Sequence, residues 1–287
     1  MKLHGFLLLG CLSVCAYGSS LGTSILFHPG ANSGEGYRPT SGTTFAEDSW
    51  EVTFDSSTYK AYGKAQADYG VLKAISTLSL TDYPSDSFHQ DCLVGGDPAI
   101  CFIADPTAAT ANFTDTWTIS GGSGSGYLVL KLVIDGSTIL DTGLTGYTTS
   151  QGSIVVRADS AYYLNTGFKN VNNTFYTDPI PFTYDVPFNV FVELVAFQVV
   201  YDPASLTGPT YNLDASADYF NTATLTGVSA YTDQNQQNPV NIRLLSESEE
   251  DYPVTEVQAN AVPEPGTWMM MLGALPLIGI ARRRFSR

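Results

Sequence analysis

Residues 112–134 read NFTDTWTISGGSGSGYLVLKLVI, and the two halves of that stretch decide the fold class. In the first half, Phe113, Asp115, Trp117 and Ile119 alternate with threonines. A period of two places those four side chains on one face of a β-strand and the threonines on the other. The second half, GYLVLKLVI, is an apolar run of strand length rich in β-branched residues. Between them GGSGSG has almost no side chain to pack and reads as a flexible hairpin connection. It is not a phosphate loop, because no Lys-Ser/Thr follows it and it leads into a strand rather than a helix.

The same reading extends outward. Asp135-Gly136 stands between LVI and STIL, and Asp-Gly supplies the positive φ angles of a tight hairpin turn. Residues 152–158 (GSIVVRA), 223–231 (ATLTGVSAY) and 239–246 (PVNIRLLS) read as later strands, and 49–54 (SWEVTF) and 71–80 (VLKAISTLSL) as earlier ones. Residues 188–201, FNVFVELVAFQVVY, are apolar on both faces, as expected of a strand covered on both sides. YKAYGKAQADYG (59–70) suits either a strand or a helix. No helical periodicity is sustained elsewhere and no repeat of fixed period appears. The expected architecture is all-β: an antiparallel β-sandwich, jelly-roll-like, followed by a single C-terminal hydrophobic helix.

The chain has 287 residues and a formal net charge of −15. Eight cations and twenty-seven acids fall between residues 19 and 262, leaving that span at −19. Such a surface repels phosphate backbones and argues against nucleic acid as a partner. No cofactor is expected; the acids offer calcium at most, and a solvated acidic surface is the preferred reading.

Both ends read as processing signals. Residues 1–18 carry one lysine, a short apolar core and the small residues Ala16 and Gly18, the pattern of a secretory signal peptide. Cleavage is expected after Gly18, with Ala16 as the alternative; acylation at Cys11 is a further option with a very short apolar core before it. At the other end an apolar stretch, 267–281, covers roughly 22 Å as a helix, short of the ~30 Å hydrocarbon core. The arginines after it prefer the cytoplasmic side. The expected division is a signal peptide (1–18), a sandwich body (19–246), an acidic polar linker (247–261) and a C-terminal signal (262–287).

Val262-Pro263-Glu264-Pro265, then the apolar helix, then the basic stop Arg282-Arg283-Arg284 resembles the PEP-CTERM sorting signal. The same signature is also catalogued as an ice-binding-protein C-terminal domain, but the flat Thr-x-Thr ladders of an ice-binding face are not seen. The resemblance implies export by a Gram-negative bacterium that makes exopolysaccharide and transient insertion in its inner membrane. It further implies cleavage near Pro-Glu-Pro by an exosortase-type protease and a final place at the cell surface, in matrix or biofilm. Two prolines keep the motif extended, as a protease requires. Residues 118–137 and 217–235 also resemble one group of PEP-CTERM surface proteins. Where that group carries a small Ser/Gly stretch this chain has SESEEDYP, and the group implies no activity.

After export two cysteines remain, Cys92 and Cys101, spanning a Gly-Gly-Asp-Pro turn; in an oxidising compartment they are expected to form a disulfide. Two histidines remain, His28 and His89, and no G-x-S-x-G turn frames either. Glu193 interrupts an apolar strand and is the one acid whose burial would make it a proton donor. Tyr162 and Tyr163 offer rings on which a sugar could stack. Glu247, Glu249, Glu250 and Asp251 read as a solvated linker rather than a calcium site. No catalytic constellation emerges. The expectation is therefore a non-enzymatic surface or matrix protein associating with exopolysaccharide; the alternative is a secreted glycan hydrolase using a carboxylate pair.

Overall fold

The computed structural model describes residues 19–28, 38–54, 57–84, 101–140, 148–202 and 210–256. In it Phe113, Asp115, Trp117 and Ile119 share the inner face of strand β6 (Cys101–Ser120), each no more than 1% exposed. The alternation seen in the sequence therefore marks a core strand. Strand β7 (Ser125–Leu140) does not return beside it. It lies in the facing sheet, so GGSGSG is an arch between sheets rather than a hairpin loop. Gly121 and Gly124 take φ of +96° and +80° in that arch. A Cβ on Gly122 would lie 2.4 Å from the Tyr184 ring, so the arch must be bare to pass that tyrosine.

One sheet runs in the order β2 (Arg38–Gly42), β1 (Ser20–His28), β6, β12 (Phe188–Asp202), β8 (Thr148–Ala158) and β9 (Ala161–Phe168), with β15 (Arg243–Ser246) beside the end of β6. The other runs β10 (Val171–Tyr176), β7, β13 (Thr210–Tyr231), β5 (Val71–Pro84), β4 (Ser57–Asp68) and β3 (Phe45–Phe54). Short strands β11 (Ile180–Thr183) and β14 (Pro239–Val240) pair with β7 and β13. Every strand pair is antiparallel, and the chain crosses repeatedly from one sheet to the other, making a β-sandwich. Among the described residues there is no helix. The ambiguous segment 59–70 is strand β4 and its turn; Ala61, Ala65 and Ala67 point into the core, where small residues let the facing sheet approach.

Asp135-Gly136 is not a turn. It sits inside β7, opposite Val171 and Asn172 of β10. A Cβ at Gly136 would lie 2.2 Å from Tyr219 Cδ1, and the β7–β13 register slips between Asp218 and Thr222 at this point. The glycine makes room for a buried tyrosine at a bulge.

The core between the sheets is mostly apolar; the Thr23 hydroxyl is buried there with no hydrogen-bond partner among the described residues, while other buried polar groups pair with one another. Ser76 Oγ donates to Gln198 Oε1 and Gln198 Nε2 donates to the Ser76 carbonyl, both at 2.6 Å, tying β5 to β12 through the interior. The Tyr59 hydroxyl and Thr107 Oγ1, 3.2 Å apart, do the same for β4 and β6.

The sandwich also does not stop at residue 246. Residues 247–255, expected as linker, pack back on it: Glu247 N–H donates to the Thr116 carbonyl, Val254 bridges Val228, and the Tyr252 ring is buried. The compact unit ends at Thr255. Alternation explains the difference: the acids face solvent while Ser246, Ser248 and Tyr252 turn inward.

Candidate functional site

Two clusters of side chains stand out, one a row on an outer sheet face, of which Tyr162 alone is exposed, and one sealed in the core. The first lies on the outer face of the sheet carrying β6, β12, β8 and β9. The register aligns Thr114, Phe191, Arg157 and Tyr162 in one row across those four strands. Because side chains alternate, all four project outward while Val156 and Val192 next to them enter the core. The Arg157 guanidinium carbon sits 4.1 Å from the Phe191 ring centroid and 5.6 Å from that of Tyr162. Both distances are in the cation–π range. Arg157 Nε is buried with no hydrogen-bond partner among the described residues. Tyr162 is 61% exposed, so most of its ring is open to solvent beside a fixed cation.

The sequence pairs Tyr162 with Tyr163; the fold separates them. The β8–β9 register shifts between Arg157 and Val156, and Tyr163 falls at that bulge and packs against the core. Burial, and then the nearby Asp159 charge, push the Tyr163 hydroxyl above the ordinary tyrosine range. Glu193 lies on the same outer face as Tyr162, one row away, between Asn112 of β6 and Val155 of β8. Burial pushes its carboxyl above the usual carboxylate range, and the Arg157 charge opposes that shift. Neither cross-strand neighbour is a second carboxylate.

The second cluster was not foreseen. Asp115, at the centre of the stretch that decides the fold, is fully buried and accepts six hydrogen bonds. Oδ2 takes Ser246 Oγ at 2.5 Å, Ser248 Oγ at 2.7 Å, the Tyr252 hydroxyl at 2.8 Å and Trp117 Nε1 at 3.3 Å. Oδ1 takes Ser19 Oγ at 2.8 Å and Ser248 N–H at 3.2 Å. Burial alone would raise this carboxyl, but the bonds from Ser246, Ser248, Tyr252 and Ser19 outweigh it and hold the group below its usual range. The Tyr252 ring packs 4.8 Å from Trp117 and 6.3 Å from Phe113. With every lone pair engaged and no access to solvent, Asp115 is a structural knot joining both ends of the sandwich, not an acid–base group. A lone Asp among strand apolars was the only sequence signal for it.

Among the described residues no three His, Cys, Asp or Glu side chains gather as a metal site. No disulfide is found among them either; Cys92 and the Cys101 side chain lie outside the described set, as do His89 and the His28 side chain. The expected signal peptide 1–18, the sorting motif 262–265, the apolar stretch 267–281 and the basic stop 282–287 lie outside it too.

Comparison with known families bears on the tail. Residues 261–284 match the model of the PEP-CTERM protein-sorting motif. The chain ends in a PEP-CTERM motif. That motif marks an exported, cell-surface-directed protein processed by an exosortase-type enzyme. It spans the tail alone and assigns nothing to the sandwich. Among curated proteins none matches the chain.

Proposed function

We propose that this exported sandwich is a non-enzymatic component of the cell surface or biofilm matrix of a Gram-negative bacterium, and that it associates with exopolysaccharide through the Tyr162–Arg157 platform. Transient anchoring of 267–281 in the inner membrane precedes release of the body. The observation that supports this reading is the open Tyr162 ring held beside a guanidinium on a rigid sheet face. A sugar ring laid on the tyrosine would find donors from Arg157 for its hydroxyls. The arginine keeps its place without a ligand because Phe191 and the strand pack it from below. Among the described residues, Glu193's cross-strand neighbours are Asn112 and Val155, neither of them the second acid that glycosidic cleavage uses.

The test is binding and turnover on the producing cell's own polysaccharide. Tyr162→Ala should weaken binding at least about tenfold, a loss of about 1.4 kcal/mol, with unchanged melting because the side chain is mostly exposed. Release of reducing ends that disappears in Glu193→Gln would refute the non-enzymatic reading. Binding unaffected by Tyr162→Ala would remove the platform from it.

A further inference from the structure

The opposite face of the sandwich holds an open groove of about 500 Å³, a size typical of small-ligand clefts, which run roughly 300–1,000 Å³. Strand register builds it. One row crosses five strands as Ser49, Tyr62, Thr77, Ser216 and Ile139. The next row, two residues along, carries Glu51, Lys60, Ser79 and Asp214. At about 4.8 Å between strands, the longer row extends about 19 Å.

The chemistry of these rows is selective. Lys60 is already paired with Glu51 at 3.1 Å, and Lys64 at the groove's edge with Glu47 at 3.6 Å. Asp214 is exposed and has no side-chain partner among the described residues. The groove therefore offers an anion no free cation, and an anionic ligand would meet Asp214 uncompensated. A metal ion fares no better, since calcium takes six to eight oxygens and no cluster of three acids forms here. What remains is a lattice of hydroxyls from Ser49, Thr77, Ser79 and Ser216, one free carboxylate, and an apolar ledge from Ile139, 65% exposed. The Tyr62 hydroxyl donates to Glu47 Oε1 at 2.8 Å, which fixes its ring along the groove. Vicinal sugar hydroxyls both donate to a carboxylate and exchange bonds with hydroxyls, and the C–H face of a pyranose covers an aliphatic ledge.

We infer that this groove is a second glycan site, specific for neutral, hydroxyl-rich oligosaccharide. Lying on the face opposite Tyr162, it would make the protein a bridge between polymer chains. The groove stands on its own residues; only the bridging role rests on the proposed exopolysaccharide association. Two sites on one rigid body gain avidity on a polymer without any new contact.

The experiment is a titration of the secreted protein with neutral glucan oligosaccharides and, separately, with uronate-containing ones, read by amide chemical-shift changes and calorimetry. Neutral probes should shift amides of Thr77, Ile139 and Ser216. Asp214→Ala and Ile139→Ala, which remove the free carboxylate and the apolar ledge, should each weaken that binding at least about tenfold. Uronate probes should bind the groove more weakly. Groove binding that is equal or tighter for uronates overturns the inference. So do shifts confined to the Tyr162 face, which would leave the platform reading intact, or no shift on either face, which would remove both.

Discussion

Replacing Asp115 by Asn tests whether the buried carboxylate is the knot that holds residues 246–255 to the sandwich. The amide keeps the shape but has one acceptor oxygen instead of two. Its better orientation puts that oxygen toward the four donors on the Oδ2 side and its NH₂ toward Ser19 and the Ser248 N–H. The Ser19 hydroxyl can turn and accept; the Ser248 N–H cannot, and faces another donor. An orphaned buried donor costs about 1–3 kcal/mol. The four remaining bonds change from charged to neutral, but they share one oxygen and do not add, so their combined weakening is about 2 kcal/mol. The total of about 3–5 kcal/mol matches the disruption of a buried charged network. For a domain of this size the melting temperature should fall by roughly 6–20 °C. The acid limb changes as well. The folded carboxyl titrates below its unfolded value of about 3.9, so its contribution is fully present above that pH and is lost as pH falls through the folded value. The wild type should lose stability steeply there; the Asn variant should lack that component. Circular dichroism melts between about pH 2 and pH 7 measure both. A variant within about 1 kcal/mol of wild type at neutral pH, or with the same acid limb, would refute the reasoning.

Three further outcomes follow from the packing. Tyr252→Phe removes one of six donors and should cost only about 1–2 kcal/mol by urea denaturation, whereas Tyr252→Ala also empties a ring site against Trp117 and should cost about 3–5. Gly136→Ala forces a Cβ into the Tyr219 ring and should destabilise by about 1–3 kcal/mol, visible as a lowered urea midpoint; an unchanged midpoint would mean the bulge relaxes freely. Glu193 titrates above its unfolded value, so its favourable term is present at low pH and lost as pH rises through the folded value. Glu193→Gln should therefore melt higher than wild type in mildly alkaline buffer and alike in acid; the reverse order would show that Arg157 outweighs burial.

The sequence by itself determined the strand character of this protein, because period-two alternation in residues 112–120 and the doubly apolar 188–201 follow from how a pleated chain presents side chains. It also determined the address, because the sorting motif is local and linear. Only the tertiary structure decided what depends on residues far apart in the chain. It decided that GGSGSG arches between sheets and that Gly136 yields to Tyr219 rather than making a turn. Registry and a bulge sent Tyr162 outward and Tyr163 inward. Asp115 became a knot because Ser19, Ser246, Ser248 and Tyr252 converge on it from both ends of the fold, and no local pattern can encode a convergence of residues 96 to 137 positions away along the chain.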